Sequence, residues 1–204
     1  MLLEKYIAKQ AGYPSGVFSG LVAALLNRTT SHINDVTIQL LDIKPTDHVL
    51  DIGFGGGATV QKMVRLAPNG LVAGIEISEA MLKRGKKKFG KLISQGKVDI
   101  REGSASKIPF ESDCFDKVST VNTIFFWPDP ALGMEEIIRV MKPKGRFVLT
   151  YSTKLPFNFT RYGFNLYPEE QIRDMLGKAG FTDIQVKTVE HPRFATAFIV
   201  ASKR

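Results

Sequence analysis

The nine residues "VLDIGFGGG", Val49–Gly57, set a short apolar run, one carboxylate and four glycines in direct succession. "HVLDI" reads as a strand buried on both faces, because its apolar residues occupy successive rather than alternate positions. Gly53, Gly55, Gly56 and Gly57 then supply a turn in which positive φ is permitted and backbone N–H groups can approach a ligand without a Cβ in the way. "ATVQKMVRLA" follows as a helix, closed by Pro68-Asn69-Gly70. A strand, a glycine turn and a helix make the opening unit of an open α/β sheet, in which ligands bind beyond the carboxyl ends of the strands.

The same rhythm continues outward. "LVAGIEI" is a second strand, and Ser78-Glu79 open the helix "AMLKRGKKKF". "VDIRE" and "CFDKVSTVN" are the third and fourth strands, with a helix from about Ala131 to Met141. "GRFVLTYS" is the fifth strand; an irregular aromatic stretch and the helix "PEEQIRDMLGKAG" come next. "TDIQVKTVE" and "RFATAFIVASK" end the chain as two strands joined near His191-Pro192. Upstream, the chain to about Lys44 reads as helical, with Thr30 or Ser31 capping its second helix. The expected fold is a doubly wound α/β sandwich with a mainly parallel seven-stranded sheet and N-terminal helices. The final strand pair, joined without a helix, predicts an antiparallel strand at the sheet's edge. We expect one domain over residues 1–204: a helical cap at 1–44, a core at 45–204, and 152–168 as a lid.

Composition narrows the classes. The chain has 204 residues, 44% of them hydrophobic, and a formal net charge of +8. Its single cysteine, Cys114, cannot form an internal disulfide, which points to a reducing cytoplasm. No run approaches the ~20 apolar residues of a membrane span. "GVFSGLVAALLN" lacks a small-residue cleavage pattern after it, so export is not expected. The basic run Lys83–Lys91 reads as the solvated face of a helix, since no aromatics interleave with it to stack bases.

Gly53, Gly55 and Ala58 satisfy G-x-G-x-x-G/A, so a dinucleotide is one candidate ligand. Glu76 ends the second strand, where a carboxylate can accept ribose hydroxyls of any adenosine-like ligand. Asp51 discriminates: beside a pyrophosphate it would face like charge, whereas an ammonium or sulfonium would welcome it.

"VLDIGFGGG", "GIEIS", "REGSASKIPFESDCFDKV", "VNTIFFWPDP" and "EEIIRVMKPKGRFVLT" resemble, in order, the motifs of class I S-adenosylmethionine-dependent methyltransferases. The resemblance is to the small-molecule branch typified by ubiquinone/menaquinone-biosynthesis enzymes, and it covers about Thr46 to Thr150. It implies S-adenosyl-L-methionine as cofactor and no metal. By resemblance, Asp51, Gly53, Phe54 and Gly55 belong to the cofactor loop, which lines the methionine part. Glu76 should hold the ribose, Ile77 and Met81 lie near the adenine, and Asn122 meets the methionine end. Ser104 stands where the family usually has an acid facing the adenine amino group, which shifts part of that recognition to the backbone at Ala105.

For the acceptor, Phe126 and Trp127 are candidate pocket walls, and Tyr162 belongs to the aromatic stretch expected to cover it. These residues point to a small apolar, aromatic or lipid-like molecule. The chain lacks the D/N-P-P-[Y/F/W] signature of many methyltransferases acting on nucleic-acid bases, which argues against nucleic acid as substrate. Peripheral contact with a membrane is compatible with the basic charge. No general base is assigned; His32, His48 and His191 are the histidine candidates. Two other classes compete: a nicotinamide-dependent oxidoreductase, and a non-catalytic RNA- or membrane-binding module on the same fold.

Overall fold

A computed structural model describes residues 31–154, 163–191 and 194–204. The cap before residue 31, Tyr162 and the centre of the expected lid lie outside the described residues. The described chain forms one seven-stranded sheet: β1 (His48–Ile52), β2 (Leu71–Glu76), β3 (Val98–Glu102), β4 (Phe115–Val121), β5 (Met141–Lys154), β6 (Phe181–His191) and β7 (Phe194–Lys203). Their spatial order is β3-β2-β1-β4-β5-β7-β6. β1 pairs in parallel with both β2 and β4, so the strand order reverses there and opens a crevice at their carboxyl ends.

β7 is antiparallel to both of its neighbours and lies between β5 and β6. The C-terminal strand is antiparallel as expected, but its expected place at the edge is corrected: β7 is interior, and β6 is the edge. Burial explains the placement. Thr196, Ala197, Phe198, Ile199 and Ala201 are all buried, as a central strand requires, whereas β6 alternates and leaves its lysine and glutamate to solvent. β5 also starts earlier than expected, at Met141. A register shift lies between Phe115↔Met141 and Lys117↔Arg146.

Three helices cover one face, α1 (Ser31–Leu41), α2 (Ala58–Leu66) and α3 (Glu79–Ser94). They bury Ile38, Leu41, Val60, Met63, Leu82 and Phe89 on Val49, Val72 and Val148. α4 (Pro130–Val140) and α5 (Glu169–Ala179) cover the other, packing Met134, Ile137, Ile172 and Leu176 on Leu50, Phe147 and Leu149. α4 is set by local chemistry: Asp129 caps it by accepting the Leu132 N–H at 3.1 Å, and Pro130 occupies its first turn. α1 is fixed along the sheet at two heights. The Thr37 and Thr150 hydroxyls share a hydrogen bond at 2.7 Å, and Arg146 donates to the Leu40 carbonyl at 3.0 Å. Its N-terminus therefore points toward the crevice end of the sheet.

Among the described residues no helix is long and apolar enough to cross a membrane.

Candidate functional site

The glycine loop leaves β1 and turns sharply back. Gly53, Gly55 and Gly57 have φ of 72°, 52° and 70°. The Gly53 N–H donates to the Ile75 carbonyl at 2.8 Å, which locks the loop to the end of β2. A Cβ on Gly53 would stand 2.5 Å from the Thr123 methyl, so the exit of β4 packs directly on the loop. At Gly55 a Cβ would meet nothing nearer than the Gly53 carbonyl oxygen at 4.0 Å. The loop backbone is thus open on the side from which a ligand approaches, and that cradle fits a nucleoside-type cofactor.

Glu76 is buried, and its carboxylate organises the loop. One oxygen, Oε1, accepts the N–H of Ile77 at 2.8 Å and of Ser78 at 2.9 Å; Oε2 accepts the Gly55 N–H at 3.0 Å. A carboxylate offers about four lone-pair sites, so roughly one remains for an incoming hydroxyl. Sequence reasoning found the acid but not its grip on Gly55. No periodicity encodes a bond between a strand end and a loop 21 positions away.

Asp51 is only 2% exposed and is turned inward. It accepts hydroxyl bonds from Thr59 on α2 and, at 2.9 Å, from Ser119 on β4. Burial pushes its carboxyl up to about 6, against the opposing pull of those two hydroxyls and with a smaller contribution from the negative charge of Glu76. The consequence for stability has a definite sign. The folded group binds its proton more tightly than the unfolded one at 3.8, so stability falls as pH rises from about 4 to about 6. The full penalty, on the order of 3 kcal/mol, is present at neutral pH. Asp51→Asn is expected to flatten this window, as read from urea midpoints between pH 4 and 7.

Of the other sequence candidates, Asn122 reaches the crevice end. It adopts φ 55°, donates its N–H to the Thr150 carbonyl at 2.8 Å, and accepts the Ser152 N–H on Oδ1 at 2.8 Å. Ile77 is 42% exposed on the same rim, whereas Met81 is fully buried beneath it. Ser104 opens the turn after β3, where its carbonyl accepts the Lys107 N–H at 3.1 Å, and Ala105 is buried. Two aromatics do not join the site through their rings. Phe54 turns into the core, where Cβ atoms on Gly74 and Gly85 would lie 2.8 Å and 2.7 Å from its ring. Trp127 is 5% exposed, packs on Gly133, and donates its indole N–H to the Thr123 hydroxyl at 3.1 Å. Phe126 remains half-buried.

Among the histidines, His32 stands exposed near the N-terminus of α1, on the crevice side of the level at which Thr37 meets Thr150. His48 opens β1 at the opposite end. A hollow of about 320 Å³ lies at that opposite end beside His48 and Cys114, and its cations Arg101 and Lys142 are paired with Asp99 and Asp116.

The basic side chains of the run are exposed along α3, and one of them also reaches the glycine loop. Lys88 donates to the carbonyls of Gly56 at 3.3 Å and Gly57 at 3.2 Å. Lys88→Ala is expected to weaken binding of S-adenosylhomocysteine, the demethylated form of the cofactor that the sequence resemblance implies, about threefold to fivefold, matching the net value of an ordinary hydrogen bond. Lys87→Ala should leave it unchanged; titration calorimetry separates the two.

Comparison with known proteins gives consistent matches. The family described as "Methyltransferase domain" matches residues 50–149. An uncharacterized methyltransferase of Bacillus subtilis, YdaC, is 30% identical over 84% of this chain and 90% of its own length. Demethylmenaquinone methyltransferase of Symbiobacterium thermophilum is 33% identical over 61% of this chain, which spans 50% of that enzyme. In structure, a SAM-dependent methyltransferase from Aquifex aeolicus superposes with a TM-score of 0.68 at 22% identity, covering 84% of this chain and 89% of that one.

Proposed function

The chain belongs to the methyltransferase-domain family and is an S-adenosylmethionine-dependent methyltransferase, and we propose that it methylates a small apolar or aromatic acceptor by in-line displacement. Bound in the crevice, S-adenosylmethionine supplies a methyl group on a cationic sulfur that becomes neutral as the group departs. Little charge then needs stabilising, so the protein's contribution is alignment and exclusion of water. Gly53 and Gly55 hold the loop open for the methionine part, and the free acceptor site on Glu76 takes a ribose hydroxyl. Asn122, held by Ser152, and the exposed rim at Ile77 would hold the methionine and adenine ends of the cofactor. Asp51 supports the loop from below by joining β1, α2 and β4.

The observation that carries the cofactor reading is the Glu76 carboxylate at the end of β2, tied to Gly55 and facing an open glycine cradle. An apolar acceptor is supported by the half-buried Phe126 beside the β4 exit and by the quinone-type substrate in the name of the Symbiobacterium relative. A cytoplasmic enzyme touching a membrane surface through the exposed cations of α3 is part of the same proposal. The test is transfer of label from S-adenosyl-[methyl-³H]methionine in the presence of a cell lipid extract. Label in the organic phase is expected; label confined to protein or nucleic acid would refute the acceptor class.

A further inference from the structure

Among the described residues, one buried side-chain polar atom has no hydrogen-bond partner: the hydroxyl of Tyr151. The residue is 1% exposed, so the group is fully withdrawn from water. Leaving such a hydroxyl unsatisfied costs about 1–3 kcal/mol, and a phenylalanine would fill the same space without that cost. Its position is informative. Tyr151 lies near the carboxyl end of β5, between Thr150, which accepts the Asn122 N–H, and Ser152, which donates to the Asn122 side chain. It is therefore level with the exit of β4, at the end of the sheet where methyl transfer takes place.

The ring stands in an aromatic nest. Phe125 is 6.4 Å away, centroid to centroid, Phe164 is 6.1 Å from Phe125, and Phe126 meets Phe164 edge-on at 4.6 Å. Phe126 is the member that reaches toward solvent. The Asn165 N–H donates to the Phe125 carbonyl at 3.2 Å, which fixes the segment carrying Phe164 to the turn carrying Phe126. Burial, with the charge of Glu169 in the first turn of α5, pushes the Tyr151 phenol up to about 12, so it remains a donor at every physiological pH. The same negative charge disfavours an anionic partner.

We propose that the Tyr151 hydroxyl is the polar anchor of the acceptor site, donating to a neutral hydroxyl or carbonyl oxygen on an aromatic ring that enters by parting the edge-on contact of Phe126 with Phe164. This deepens the methyltransferase reading and rests on it. The aromatic edges select a flat ring, and the phenol fixes its rotation. A site built to bond an oxygen rejects the analogue lacking it, because its own buried group is left unpaired.

The experiment compares wild type with Tyr151→Phe, both loaded with S-adenosylhomocysteine, titrated calorimetrically with 1-naphthol and with naphthalene. Wild type should prefer 1-naphthol by about tenfold, and Tyr151→Phe should bind both alike. The ligand-free variant should melt at the same temperature as wild type or higher, since it loses only an unsatisfied group. Equal affinity of the variant and wild type for 1-naphthol, no binding of 1-naphthol to loaded wild type, or a lower melting temperature would each overturn the proposal. Failure of wild type to take up S-adenosylhomocysteine would instead defeat the cofactor reading.

Discussion

Gly53→Ala is expected to lower the affinity for S-adenosylhomocysteine by about two orders of magnitude. Two costs add at this position. An L-residue at φ 72° is strained by roughly 1–2 kcal/mol. The new methyl would also stand 2.5 Å from the Thr123 methyl, so the loop or the β4 exit must shift. A total on the order of 3 kcal/mol corresponds to about a hundredfold in binding if the displaced loop is what the cofactor requires. Gly96→Ala is the control. Gly96 has φ 67° but open space around its Cβ position, so the change should carry the strain alone and leave cofactor affinity intact. Calorimetric titration of the two variants distinguishes a loop effect from a general loss of stability.

Glu76→Ala has the second large effect, and it falls on stability as well as binding. Removing the carboxylate leaves the N–H groups of Gly55, Ile77 and Ser78 without their acceptor. With partial rescue by water, the expected loss is about 2–4 kcal/mol, or a fall in Tm of roughly 5–15 °C for a chain of this size. Addition of S-adenosylhomocysteine should then raise the Tm hardly at all. Glu76→Gln divides the roles of the two oxygens. An amide oxygen can still accept from Ile77 and Ser78, but its NH₂ would face the Gly55 N–H, donor against donor. The glutamine variant should recover much of the stability and little of the binding. Equal cofactor affinity in wild type and Glu76→Ala would show that the carboxylate serves only the fold.

The fold was legible because burial on both faces leaves a mark that survives without tertiary knowledge. "VLDIG", "LVAGIE" and "FVLTY" read as interior strands, and they are: β1 and β2 are parallel on both sides, and β5 is parallel to β4 and antiparallel to β7. The place of β7 was less legible, because chain order alone does not say whether the last strand adds to the edge or inserts beside β5. Its continuous apolar run, "ATAFIVA", carried the signal for insertion. The sheet-end residues Asp51, Gly53, Gly55 and Glu76 were placed together by the strand–loop pattern, and Asn122 was added by the family resemblance. What that pattern could not reveal was side-chain direction. Phe54 sits inside the loop by sequence but fills a notch made by Gly74 and Gly85, two glycines whose role emerges only when the helix folds back. Asp51 faces Thr59 and Ser119 for the same reason: its partners come from other elements, and no spacing rule foretells them. Tyr151 reads in sequence as an ordinary strand aromatic, and its unsatisfied hydroxyl is visible only in three dimensions.

The central claim is that the glycine cradle and Glu76 form a nucleoside site made for a cofactor without phosphates. Isothermal titration of the wild-type chain with S-adenosylhomocysteine, and separately with NADH, tests it most directly. The account predicts saturable one-to-one heat with the first and none with the second. Saturable heat from NADH with silence from S-adenosylhomocysteine would contradict it.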